Sequence, residues 1–216
     1  MSRIMSKKLL EQLNKNEKSI LFKLEPFFEQ KGLLSGGTAL MMQIPQRKSF
    51  DFDLFFPFEI PDNFVRKAIN AFDSKIKVLI NNPDELTFTA GEQVKISFIF
   101  FPFIRKYKPI NAEFFINLSS YKDIASDKAY AIGRRPEYRD YVDLFIILKE
   151  GFALKRIIED AKDKFSEEFS EKLFLSQLVY FEDIKDFTVK FIKKEISIDE
   201  IKDFYKNAVL DYERLF

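Results

Sequence analysis

Apolar residues recur at helical spacing near the start of the chain. Leu9, Leu10, Leu13, Ile20, Leu21, Leu24 and Phe27 stand between charged positions and predict a helix over 5–31, with Pro26 as a kink or break. Gly32 marks a boundary, and Ser35-Gly36-Gly37 reads as a turn into a short helix through residues 39–43 that Pro45 ends. The pattern then changes period. Residues 50–56 read as a strand stopped by Pro57, residues 63–72 as a helix, and 76–80, 93–101 and 111–117 as three further strands. Near residue 120 the period returns to that of helices, expected over 122–135, 138–149, 153–165, 170–182 and 198–215. No Gly- or Ser-rich linker, repeat or low-complexity tract interrupts this order. It predicts an α+β fold: a mixed-sheet core with an N-terminal helix over residues 1–120, and a helical region over 121–216 that completes a cleft with it.

One stretch does not fit simple packing. In "LLSGGTALMMQIPQRKSFDFDLFF" a strand-like run carries Asp51 and Asp53 among phenylalanines. Side chains two apart on a strand share a face, so the aspartates are expected side by side, with Phe50, Phe52 and Leu54 opposite. Adjacent carboxylates repel, and apolar neighbours add a desolvation cost; a bound divalent cation offsets both. Upstream, Gly36 and Gly37 allow close backbone approach, and the helix start behind them offers N–H groups to an anion. Taken singly, a glycine pair is ordinary in turns, and D-x-D is often the solvated face of an edge strand. Together, with Thr38, Arg47 and Ser49 between them, the features favour metal-assisted phosphoryl or nucleotidyl transfer. The stretch is not a Walker loop, since no G-x-x-x-x-G-K-[ST] occurs.

Composition narrows the chemistry. The chain has neither Cys nor His, which excludes thiol nucleophiles, disulfides, imidazole bases and nearly all zinc sites. Carboxylates, Lys, Arg, hydroxyls and backbone amides remain, and these suit Mg²⁺ and phosphates. With 27 Phe and no Trp, phenylalanine must supply most of the aromatic core. A formal net charge of +1 gives no global footprint of a nucleic-acid binder, which leaves local basic runs at Arg105, Lys106 and Lys108 and at Arg134, Arg135 and Arg139. No apolar stretch is long enough to span a membrane, and the N-terminus lacks a signal-peptide pattern, so a cytoplasmic location is expected.

A second stretch, "LSSYKDIASDKAYAIGRRPEYRDYVDLFIILKEG", places Asp123, Lys128 and Arg135 on one predicted helix. Asp123 suits the positive helix end. Lys128 interrupts the more apolar face, as a phosphate contact or as a lysine snorkelling to the surface. Asp140 and Asp143 share a face of the next helix at i,i+3, in a site or as capping groups paired with Arg134 or Arg135.

Both stretches resemble the motifs of the AbiEii/AbiGii-type nucleotidyltransferases: GGTAL, then R-x-S-x-D-[ILF]-D, then L-x-S-x-x-D-I-A-x-x-K-x-x-A-I-x-x-R and [RK]-D-[FY]-x-D-L. Order and approximate spacing agree from residue 33 to about 150. The resemblance implies a minimal polymerase-β-like nucleotidyltransferase core, Mg²⁺ and NTP use, and a toxin role in a toxin–antitoxin or phage-defence system. Carried over, it implies that Gly36 and Gly37 hold the triphosphate with Thr38 nearby, that Asp51 and Asp53 bind metal, and that Lys128 contacts phosphate. Arg47, Ser49, Asp140 and Asp143 also occupy motif positions. Polymerase-type relatives usually carry a third carboxylate on a neighbouring strand. In "VKISFIF" Ser97 stands at that place, and Glu113 on the next strand is a candidate substitute. The expected activity is NMP transfer from an NTP to an acceptor hydroxyl, with tRNA or other RNA as acceptor and a cognate antitoxin as partner. The alternatives are a catalytically impaired nucleotide-binding protein acting through a partner, favoured by Ser97, and transfer to a small molecule or protein.

Overall fold

Seven strands form one mixed sheet in the computed structural model of the chain, which describes residues 9–73, 75–91, 94–135 and 137–215. Residues 5–8 of the expected first helix and Gln93 of an expected strand lie outside the described residues. The chain divides into two compact units. The first comprises Met1–Pro45, Ser49–Phe103 and Lys108–Ser120; the second comprises Gln46–Lys48, Ile104–Tyr107 and Tyr121–Phe216.

Among the described residues the first unit holds the sheet and the helices α1 (Lys15–Lys23), α2 (Glu25–Phe28), α3 (Gly36–Gln43) and α4 (Asn63–Ala71). Asn14 and Glu17 start α1 with a reciprocal capping box. The expected single N-terminal helix is interrupted at residues 11–14 and again at Leu24, and Pro26 falls in the first turn of α2, where its missing N–H costs no helical bond. The strands are β1 (Leu33–Ser35), β2 (Phe52–Phe56), β3 (Ile76–Asn81), β4 (Glu85–Ala90), β5 (Val94–Phe100), β6 (Ile110–Glu113) and β7 (Ile116–Leu118), in spatial order β3-β4-β5-β2-β1-β7-β6. β2 is central: it pairs antiparallel with β1 and parallel with β5.

Three strand expectations need correction. The strand β4 was absent from them, although "ELTFTA" alternates polar and apolar residues as a half-buried strand does. The expected strand 111–117 is a hairpin, β6 and β7, turning at Phe114 with φ 47°. β2 starts at Phe52, so Phe50 does not share the buried face and is 51% exposed. The physical reason is that β1 leaves the sheet at Gly36, one residue beyond the Ser35–Asp53 pair, so the ladder on that side ends there.

Alternation along β2 sends Phe52, Leu54 and Phe56 into the core. There Phe27, Phe56, Phe64, Phe88 and Phe98 pack largely edge to face, with Phe56, Phe64 and Phe98 in mutual contact. Phenylalanine thus fills the volume that Trp would otherwise take. The opposite face of β2 is left to Asp53 and Phe55.

The second unit is built from α5 (Tyr121–Ile132), α6 (Tyr138–Lys149), α7 (Leu154–Phe165), α8 (Glu171–Leu178) and α9 (Ile198–Glu213), close to the spans the periodicity predicts. α5 packs against α6, α7 and α8, while α9 packs on α6 and α7. Two short segments from earlier in the chain complete it. Gln46–Lys48 runs antiparallel to the stretch around Phe191, with Lys48 N–H donating to the Lys190 carbonyl at 2.7 Å and Ile192 N–H to the Gln46 carbonyl at 2.8 Å. Ile104–Tyr107 is held by Asp123, whose carboxylate accepts the backbone N–H of Lys106 at 3.0 Å and of Tyr107 at 2.9 Å.

Candidate active site

In the first unit the glycine turn and the aspartate strand meet directly. Antiparallel register sets Ser35 of β1 opposite Asp53 of β2. Gly36 follows with φ +65°, a conformation that L side chains rarely adopt. A Cβ placed there would lie 2.6 Å from an Asp53 carboxylate oxygen, so the chain needs glycine for conformation and for space. Gly36 and Gly37 form the first turn of α3, and the Ser35 side chain does not cap that helix. Ser35 Oγ is buried and makes no hydrogen bond among the described residues. The head of α3 therefore presents backbone N–H groups and a buried hydroxyl beside Asp53. Sequence reasoning missed Ser35; its place immediately before the glycine pair was the available signal.

Thr38 and Asp51 are brought together as well. The Thr38 hydroxyl donates to the backbone carbonyl of Asp51, which fixes the chain at the mouth of β2. Thr38 is 1% exposed. Ser49 uses its N–H on the Met41 sulfur. Ser97 lies beside Asp53 on β5, at the position where a third carboxylate was sought. Glu113 does not replace it: β1 and β7 stand between β6 and β2, and Glu113 pairs with Ile116, away from the Ser35 level. Among the described residues no three acidic side chains gather closely enough to enclose a cation by themselves.

In the second unit Arg47, Lys128, Asp140 and Asp143 form one buried cluster. Arg47 grips Asp143 with two parallel bonds, Nε to Oδ1 at 2.6 Å and Nη2 to Oδ2 at 2.7 Å. Lys128 bonds Asp140 and lies 2.9 Å from Asp143. Burial alone would push the Asp143 carboxyl up; Arg47 and Lys128 outweigh it and hold it below the ordinary carboxylate range. Burial would likewise lower the Lys128 ammonium, but Asp140 and Asp143 raise it above its ordinary value. Lys128 is 9% exposed, so it is not a snorkelling surface lysine. Arg135 reaches Asp140 at 3.4 Å.

The basic runs divide. Arg105 pairs with Asp127, and Lys106 with Asp160 and Asp163, so these two cations are engaged within the unit. Arg134 and Arg135 are about half to two-thirds exposed along their side chains, as is Arg139. Arg134 stacks 4.1 Å over the Tyr130 ring. No described helix is long and apolar enough to cross a membrane.

A glycine-headed helix is set against Asp53 of β2, with Asp51 just outside that strand rather than on it as expected, in a mixed-sheet α+β core of nucleotidyltransferase type. Over residues 19–212 the chain matches, and belongs to, the family described as nucleotidyl transferase AbiEii toxin, type IV TA system. Its enzyme class is thus nucleotidyltransferase, as the motif resemblance implied. It is 34% identical over 184 residues to the uncharacterized protein aq_aa25 of Aquifex aeolicus (strain VF5), an alignment covering 83% of this chain and 86% of that protein. Its fold is similar to that of MenT4, the nucleotidyltransferase toxin Rv2826c from Mycobacterium tuberculosis H37Rv, with a TM-score of 0.55 at 10% identity over 97% of this chain and 88% of that one.

Proposed function

We propose that the protein transfers a nucleoside monophosphate from an NTP to an acceptor hydroxyl on RNA, with tRNA the leading candidate, and that it acts as a cytoplasmic toxin restrained by a cognate antitoxin. The observation that carries this reading is the fit of Gly36 against Asp53. A backbone with no side chain is pressed to a carboxylate at the head of a helix, beside a buried hydroxyl that has no partner among the described residues.

In this reading Gly36, Gly37 and the α3 N-terminus receive the triphosphate, whose charge the helix end favours. Ser35 Oγ gains a hydrogen-bond partner in a phosphate oxygen. Thr38 acts indirectly, since its hydroxyl holds the Asp51 carbonyl and so sets where that carboxylate begins its reach. Asp51 and Asp53 supply hard oxygen donors suited to Mg²⁺, and two carboxylates plus phosphate oxygens are a usual set for that ion. When bound, Mg²⁺ supplies charge neutralisation at the reacting phosphate. Lys128, Asp140 and Asp143, with Arg47 and Ser49, are carried into the reading as motif residues. Lys128 would exchange part of its carboxylate pairing for phosphate. The exposed Arg134, Arg135 and Arg139 are the candidate RNA contacts.

Incubating the protein with labelled NTPs, Mg²⁺ and total cellular RNA tests the reading. Label in RNA supports it, and RNA binding that falls steeply with salt supports the arginine contacts. Label on protein or on a small molecule moves the acceptor. Ser97 favours one second reading, a nucleotide-binding protein with impaired catalysis; nucleotide binding without any transfer would establish that one instead.

A further inference from the structure

The sheet face that carries Asp53 also carries a connected set of hydroxyls. Register places Ser97 of β5 beside Asp53, and Thr87 of β4 beside Ser97. Both hydroxyl residues are 3% exposed. Thr87 Oγ1 lies 3.0 Å from Ser97 Oγ and also bonds a carboxylate oxygen of Glu85, two residues along the same strand and on the same face. Glu85 is half-buried, so the far end of this chain reaches solvent.

A hydroxyl has one proton, so Thr87 cannot donate to both neighbours. With Glu85 ionised, the carboxylate only accepts: Thr87 donates to Glu85, and Ser97 donates to Thr87. With Glu85 protonated, the order reverses, and the Ser97 proton is turned back toward the Asp53 side. Going from the first order to the second requires one proton to enter at Ser97 and one to arrive at Glu85. The chain therefore conducts a proton away from the row that holds Asp53, without a carboxylate on β5.

We propose that Glu85 is the remote proton acceptor for nucleotidyl transfer, reached through Ser97 and Thr87, and that this relay replaces the carboxylate absent at position 97. The proposal rests on the transfer reading above. In the step, the acceptor oxygen forms a bond to the α-phosphorus and the bond from that phosphorus to pyrophosphate breaks. The acceptor proton passes to Ser97 Oγ, directly or through one water, as Ser97 gives its proton to Thr87 and Thr87 gives its own to Glu85. Glu85 later releases the proton to solvent.

The test uses the full chain with labelled NTP, Mg²⁺ and RNA, and compares Glu85→Gln, Thr87→Val and Thr87→Ser with wild type. A thermal melt with and without Mg²⁺–NTP supplies a binding readout independent of activity. Val keeps the branched shape that suits a strand but removes the hydroxyl; Ser keeps the hydroxyl and removes a methyl. The relay predicts that Glu85→Gln and Thr87→Val lose about tenfold or more in kcat. Their KM and Mg²⁺–NTP melting shift should stay at wild-type values, while Thr87→Ser recovers most of the loss. A purely structural role of Thr87 predicts the opposite order, with Val tolerated and Ser impaired, and would overturn the proposal. So would wild-type kcat in Glu85→Gln, or loss of its Mg²⁺–NTP shift, which would make Glu85 a nucleotide-binding group. Wild-type protein that transfers nothing overturns the transfer reading and the relay together, and that result is seen in the wild-type arm alone.

Discussion

Asp53 and Asp143 are both aspartates flanked in sequence by apolar residues, yet the two units hold them by different means. Asp143 is fixed by side-chain charge, with a bidentate guanidinium from Arg47 and an ammonium from Lys128. Asp53 is fixed by backbone, on a central strand whose neighbour turns away through a positive-φ glycine. In the helical unit the charges are balanced by named partners inside the unit. In the sheet unit it is the position of the carboxylate that the fold defines. A group held by countercharge should reveal itself through stability, and a group held by position through activity.

The largest effect is expected at Asp143→Ala. It leaves Arg47 and Lys128 buried with one carboxylate between them, and breaking such a set costs about 3–5 kcal/mol. Urea titration should show this as a lower midpoint with an unchanged slope; a midpoint near wild type would dissolve the contrast. Lys128→Ala belongs to the same class, since it removes one cation from the same buried set and leaves Asp140 and Asp143 with less countercharge. Asp53→Asn should behave oppositely. Transfer is expected to fall about 100-fold or more, and the Mg²⁺–NTP melting shift should vanish, while the melting temperature without ligand stays level or rises. An unliganded protein that melts well below wild type but still responds to Mg²⁺–NTP would make Asp53 a structural residue. Gly36→Ala comes next. The left-handed backbone alone costs about 1–2 kcal/mol for a residue with a Cβ, and the added methyl displaces the Asp53 carboxylate, so stability and transfer should fall together. A variant that is less stable but fully active would separate Gly36 from the site.

The smallest effect is a pH limb. The Asp143 value is depressed by folding, so its contribution is present above the ordinary carboxylate value of about 3.9 and is lost as pH falls through the depressed one. Lys128 is raised, so its contribution is present below about 10.4 and is lost as pH climbs through the raised value. Stability measured from pH 7 down to 2 should fall less steeply in Asp143→Asn than in wild type. Identical slopes would mean that the carboxylate charge contributes nothing.

Local patterns made much of this legible. The helix over residues 138–149 was readable to the residue because its apolar period is unbroken and a proline precedes it. Gly36, Asp51 and Asp53 announced themselves by being out of place among apolar residues. What stayed hidden depends on pairing across the chain. Ser35 and Thr87 gain meaning only once register sets them in one row with Asp53 and Ser97, and Glu85 only through its bond with Thr87. The pairing of Arg47 with Asp143 stayed hidden because the two are 96 residues apart. Charge type is written locally, and its destination is not.

The Gln46–Lys48 segment has a temporal consequence. Its partner strand around Phe191 lies about 140 residues further along, and at ribosomal rates of about 5–20 residues per second it waits roughly 7–30 s before that stretch emerges. Asp143 emerges before that stretch, so the side-chain partner of Arg47 is in place before the backbone pairing that seats it. The helical unit is therefore complete only after the Phe191 stretch has emerged, and a chain that stops before it lacks that unit in finished form.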